Sequence, residues 1–93
     1  MEINLIENIK NIAERYCNYK FYAFGSFMNN RICYADIDIL ILYESAEFIK
    51  SIRKDFLNVD SHEYFHLMFL STEEEKEIKF IEKVAAIEIK QFL

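Results

Sequence analysis

Residues 21–43 read FYAFGSFMNNRICYADIDILILY. The stretch holds the only glycine of the chain, Gly25, and two aspartates, Asp36 and Asp38, directly before an apolar run. Residues 21–26 are short, aromatic and end in Gly-Ser, which reads as a strand entering a turn. Residues 36–43 alternate, with Asp36, Asp38, Leu40 and Leu42 on one face and Ile37, Ile39, Ile41 and Tyr43 on the other. Apolar residues on both faces of the second half predict a strand covered on both sides, as in a sheet with helices against it. Residues 27–34 between the two strands show no clear period and read as a short helix or turn followed by a loop.

Outward from this stretch, residues 3–16 carry Leu5, Ile9, Ile12, Ala13 and Tyr16 at helical spacing, with Glu7, Lys10, Asn11 and Glu14 on the other side. Asn18 marks a stop. On the C-terminal side Ser45 can cap a helix. That helix turns Phe48, Ile49, Ile52, Phe56 and Leu57 inward and exposes Lys50, Arg53, Lys54 and Asp55. Residues 58–63 are polar and read as a loop, and 64–70 as a third strand. Ser71-Thr72-Glu73-Glu74 is a capping box with acidic residues at the positive end of a helix dipole. The last helix is expected over about 72–92, presenting Ile78, Ile81, Val84, Ala85, Ile89 and Phe92. The order α-β-(short α)-β-α-β-α predicts an α/β (α+β) fold, a small mixed three-stranded sheet with packed helices, as one domain over 1–93.

The composition suits a packed core: 53% of the 93 residues are hydrophobic, including nine Phe and six Tyr. A net charge of -5 opposes bulk nucleic-acid binding, so a nucleotide would need a local bridge such as a divalent cation. Cys17 and Cys33 have no CxxC or zinc spacing and read as buried thiols in a reducing compartment. The start of the chain lacks the pattern of a signal peptide, and the longest apolar run, residues 39–43, is too short for a bilayer. These features predict a cytoplasmic protein with no membrane partner.

The chemistry concentrates at Gly25-Ser26 and Asp36-x-Asp38. Period 2 places the two carboxylates on one face, about 7 Å apart along a strand. Such a pair holds hard divalent cations through oxygen, and Mg2+ in particular uses one or two carboxylates together with substrate phosphates. Gly25 lets backbone approach a phosphate without a Cβ in the way. Ser26 adds a hydroxyl, and the N–H groups of the following turn suit an anion.

Gly25-Ser26, nine intervening residues and Asp36-Ile37-Asp38 together resemble the signature of the minimal nucleotidyltransferases, in the DNA polymerase beta-like nucleotidyltransferase superfamily. The element order resembles that family's over residues 3–71. The resemblance implies a metal-dependent transfer of a nucleoside monophosphate from an NTP, ATP foremost, to an acceptor hydroxyl. Gly25 and Ser26 would then hold the triphosphate, and Asp36 and Asp38 would bind Mg2+ (or Mn2+). It also implies a helical partner of the HEPN type in a toxin–antitoxin-like module, with the acceptor on that partner or held by a homo-oligomer.

The chain departs from the family pattern twice. After Gly-Ser the family often continues with small and basic residues and a second glycine, whereas this chain reads Phe27-Met28-Asn29-Asn30-Arg31. Arg31 remains a candidate phosphate contact. The family's third acidic residue, early in the third strand, corresponds to His66 here. A neutral imidazole can ligate a metal or act as a base, while Mg2+ favours oxygen. Two readings therefore stand: an active transferase with His66 as third ligand or base, or a degenerate fold that binds nucleotide or protein. The plainer alternative makes Asp36 and Asp38 solvated residues at a strand entrance.

Overall fold

A computed structural model describes residues 2–25, 37–59 and 65–89 of the protein, with side chains from residue 6 onward. Helix α1, Glu2–Arg15, leads into strand β1, Lys20–Phe24. Strand β2, Ile37–Tyr43, is followed by a 3-10 turn, Ala46–Phe48, and helix α2, Ile49–Leu57. Strand β3, Phe65–Ser71, runs directly into helix α3, Thr72–Ile78, then helix α4, Phe80–Val84, and a short strand β4, Ile87–Glu88.

The sheet is mixed, in the order β3-β2-β1-β4. β1 pairs antiparallel with β2 and with β4, and β2 pairs parallel with β3. The alternation of β2 divides the interior as expected. Ile37, Ile39 and Ile41 join a core with Ile9, Ile12 and Ala13 of α1 and Ile52 and Phe56 of α2. Leu40 and Leu42 face the opposite side and join Leu70, with Tyr22, Phe24, Met68, Phe80 and Ile81 packed around them. Five of the six residues 37–42, all but Asp38, are therefore buried, on two different faces. Fully burying one such side chain contributes about 1.5–3 kcal/mol, so β2 is the strand whose placement is most strongly enforced.

Polar side chains tie the connections to this frame. The Tyr19 hydroxyl donates to the Ser45 carbonyl and accepts the Phe48 N–H at 2.9 Å, fixing the start of β1 to the entrance of α2. The Tyr16 hydroxyl donates to Asp55 Oδ2 at 2.6 Å, and Arg15 lies 3.3 Å from the same oxygen, joining the ends of α1 and α2. Desolvation first, and then this bond to Asp55, push the Tyr16 pKa up to about 12. The capping box forms as the sequence predicts: Ser71 Oγ accepts from the Glu74 N–H at 3.0 Å, and the Ser71 N–H donates to Glu74 Oε1 at 2.8 Å.

Four features differ from the sequence expectation. The sheet has a fourth strand, because Ile87 and Glu88 pair with Ala23 and Tyr22 on the edge of β1 left open by β2. The expected helix over 72–92 is interrupted at Lys79 and Ala85, both left-handed with φ 55° and 54°. A straight helix of twenty residues would extend about 30 Å, beyond a seven-residue strand of about 23 Å; the breaks turn the chain back along the sheet. The Glu75 carboxylate secures the first break by accepting the Phe80 N–H at 3.0 Å and the Ile81 N–H at 3.3 Å. Leu57, expected in the core, is 84% exposed because it continues the solvent-facing stripe of Lys50, Arg53 and Lys54 rather than the inward stripe of Ile52 and Phe56. Cys17, expected buried, is an exposed free thiol in the turn that Tyr19 N–H closes on the Tyr16 carbonyl; Cys33 lies outside the described residues. Among the described residues no helix is long and apolar enough to cross a membrane.

Candidate functional site

The antiparallel and parallel pairings that flank β2 align one row of residues across the sheet. Phe24 is opposite Asp38 on one side, and His66 is opposite Asp38 on the other. All three point to the face of Leu40, Leu42 and Leu70; Phe24 still lies under Phe80 of α4, while Asp38 and His66 form the more open end of the row. Asp38 interrupts the apolar succession of β2 where the sheet emerges from that cover, and its side chain keeps 21% of its exposure.

His66 Nδ1 lies 3.1 Å from Asp38 Oδ1, and the His66 side chain is 74% exposed. An ionised carboxylate can only accept, so Nδ1 carries the shared hydrogen and Nε2 is left to other partners. The other carboxylate oxygen meets the end of β1. Gly25 has φ +82°, and a Cβ placed on it would overlap Asp38 Oδ2 and stand 3.2 Å from Asp38 Cγ. The lone glycine therefore does two things at once: it takes a left-handed turn out of β1, and it leaves the space that the carboxylate fills. Phe80 of α4 packs edge-to-face on Phe24, with ring centroids 5.1 Å apart, holding the strand end from which Gly25 departs.

Of the residues singled out by sequence, Gly25, Asp38 and His66 thus converge at one end of the sheet. Asp36, Ser26 and Arg31 lie outside the described residues. Among the described residues no group of three His, Cys, Asp or Glu side chains is placed to hold a metal ion. The donors that are described nonetheless suit a divalent cation whose remaining positions are filled by phosphate and water: an anionic oxygen and an imidazole, side by side, against a cradle without a side chain. The sequence reading missed Phe24, Phe80 and Glu75, which position this end of the sheet. Phe24 was legible as core, but nothing near Lys79 signals a break, since that segment has no Gly, Pro or Asn.

A family model described as nucleotidyltransferase domain matches residues 5–91 of the chain. No curated protein matches it.

Proposed function

Because the chain belongs to the nucleotidyltransferase domain family, with an NTP as its implied substrate, we propose that it is a minimal, divalent-metal-dependent transferase acting as a single domain. It moves a nucleoside monophosphate from ATP to a hydroxyl on a separate partner, such as a HEPN-type helical protein of a toxin–antitoxin-like pair in the cytoplasm. The observation that carries this reading is the convergence of Gly25, Asp38 and His66 at one sheet end.

In this reading the bare backbone at Gly25 lets the triphosphate lie close to the chain, with the Ser26 hydroxyl and the Arg31 guanidinium as further phosphate contacts. Asp36 and Asp38 would hold Mg2+ or Mn2+, which supplies charge neutralisation for the departing pyrophosphate. The acceptor oxygen forms a bond to the α-phosphorus as the α–β anhydride bond breaks, pyrophosphate leaves with the bonding pair, and the hydroxyl proton is released to solvent. His66, opposite Asp38 across the β2–β3 pair, would stand where the family resemblance expects a third acid. The protein's own contribution is position and charge, as expected for phosphoryl-type transfers.

The test is label transfer from α-labelled ATP, with Mg2+ or Mn2+ and candidate acceptor proteins, beside the Asp38→Ala variant. Transfer that disappears in the variant supports the proposal; transfer that persists undiminished refutes the site. The His66 substitution of an acid specifically favours a second reading, a nucleotide- or protein-binding module without turnover. Metal-dependent nucleotide binding with no transfer to any acceptor would select it.

A further inference from the structure

We propose that His66 is a direct nitrogen ligand that shifts this site from Mg2+ towards borderline first-row cations of the Co2+ and Zn2+ class. The inference rests on the metal-site reading above and specifies the metal. Three observations carry it. The parallel register sets His66 beside Asp38 on the same face, so both side chains leave the sheet together. Their nearest donor atoms, Nδ1 and Oδ1, are 3.1 Å apart. Two neighbouring ligands in one octahedral shell with bonds of about 2.1 Å are separated by about 3 Å, so the pair already has the spacing of adjacent ligands, and a turn of the exposed His66 ring aims Nδ1 at the cation. And His66 is an exposed strand residue with no second described hydrogen-bond partner, so the ring is available rather than committed to the core.

The cation would replace the shared hydrogen as the partner of both Nδ1 and Oδ1, standing to one side of the line between them. That hydrogen moves to Nε2 by tautomer exchange through solvent, so the imidazole stays neutral and no net proton is lost. The donor set then contains one nitrogen among oxygens. Magnesium is hard and binds oxygen, whereas imidazole favours Zn2+, Ni2+ and their neighbours. An acid at position 66 would give an all-oxygen site; histidine makes it mixed.

The probe is Co2+ alone, added to the intact chain and followed by its visible absorption, with Mg2+ as competitor. The quantity read is the ratio of the Mg2+ to the Co2+ dissociation constant. In His66→Ala and His66→Asp that ratio is expected to fall at least tenfold from the native value, and His66→Asp is expected to bind Mg2+ more tightly than the native chain. A smaller fall in both variants, with Asp38→Asn still abolishing binding of both metals, overturns the role of His66 and leaves the site standing. Unchanged affinity for both metals in Asp38→Asn, or no Co2+ binding by the native chain, overturns the metal site itself and this inference with it. Circular dichroism confirms that the exposed substitutions leave the fold intact.

Discussion

Replacing Gly25 by alanine is the sharpest probe of the sheet end, because it adds one methyl group at a position with two separate objections to it. The first is conformational. At φ +82° an L-residue is on the left-handed side of the map, which costs roughly 1–2 kcal/mol. The second is steric. The new Cβ overlaps Asp38 Oδ2, and Phe24 before it is held by pairing with Asp38, so the carboxylate must swing. A displacement of about 30° from its rotamer adds about 0.5–1.5 kcal/mol. Together they predict a loss of about 1.5–3.5 kcal/mol, which for a chain of this size lowers the melting temperature by about 6–28 °C. Thermal unfolding followed by circular dichroism measures the sum. A double-mutant cycle separates the parts: in an Asp38→Ala background the steric component vanishes and the conformational one remains. The expected coupling is therefore about 0.5–1.5 kcal/mol. Gly25→Ala costing under about 1 kcal/mol, or costing the same with and without the Asp38 side chain, would refute the placement of the carboxylate against the glycine.

Three further outcomes follow from the frame around the site. Glu75→Ala removes the acceptor of the Phe80 and Ile81 N–H groups; the loss of about 1 kcal/mol is expected to show as faster hydrogen exchange at those two amides, with the Ser71 cap unaffected. Ser71→Ala removes the Oγ acceptor of the Glu74 N–H and leaves the backbone N–H of residue 71 on Glu74 Oε1; it is expected to lower stability by about 0.5–2 kcal/mol in denaturant titration. Tyr16 carries its proton more tightly folded than unfolded, with a pKa of about 12 against an ordinary 10.0. Its contribution is complete below pH 10 and is lost as pH rises through 12, so Tyr16→Phe should flatten the alkaline decline of stability in that window.

What the sequence disclosed depended on whether a signal was local. The β2 alternation and the Ser71 box are written in adjacent residues, and both elements form as read. The core positions of α1 and the pair Ile52 and Phe56 follow from helical spacing. Leu57 borders the inward stripe but falls on the exposed one with Lys50, Arg53 and Lys54, and an apolar residue at the edge of a stripe does not report which side it takes. β4 was hidden for a related reason. Residues 78–92 are apolar at helical intervals, and only the open edge of β1, a feature of the assembled sheet, draws Ile87 and Glu88 into pairing. The same holds at the site. Gly25 and Asp38 were each legible as useful, but that the glycine exists partly to admit the aspartate is a fact of β1–β2 register.

That register also decides what His66 means. Side chains on a strand alternate, so a slip of one residue between β2 and β3 would turn His66 into the core and bring Phe65 or Leu67 beside Asp38. The slip is resisted by both faces at once. Leu67 and Phe69 pack with Ile39, Ile41 and Phe56 beneath α1 and α2, while Leu70 packs with Leu40 and Leu42 on the other side. Moving β3 by one residue would expose one set and press the other against helices already in contact. Phe69 is further held by the Arg53 guanidinium, 4.7 Å from its ring centroid, an interaction worth about 0.5–1 kcal/mol at an exposed site. The pairing of His66 with Asp38 is thus a consequence of hydrophobic burial several residues away, and it persists whatever residue occupies position 66. The strand presents that position to Asp38 by construction; the side chain placed there determines only the chemistry. The proposed effect of His66→Asp on metal preference is therefore one that would leave the fold unchanged, because the residue at position 66 bears on the chemistry at Asp38 and not on the architecture.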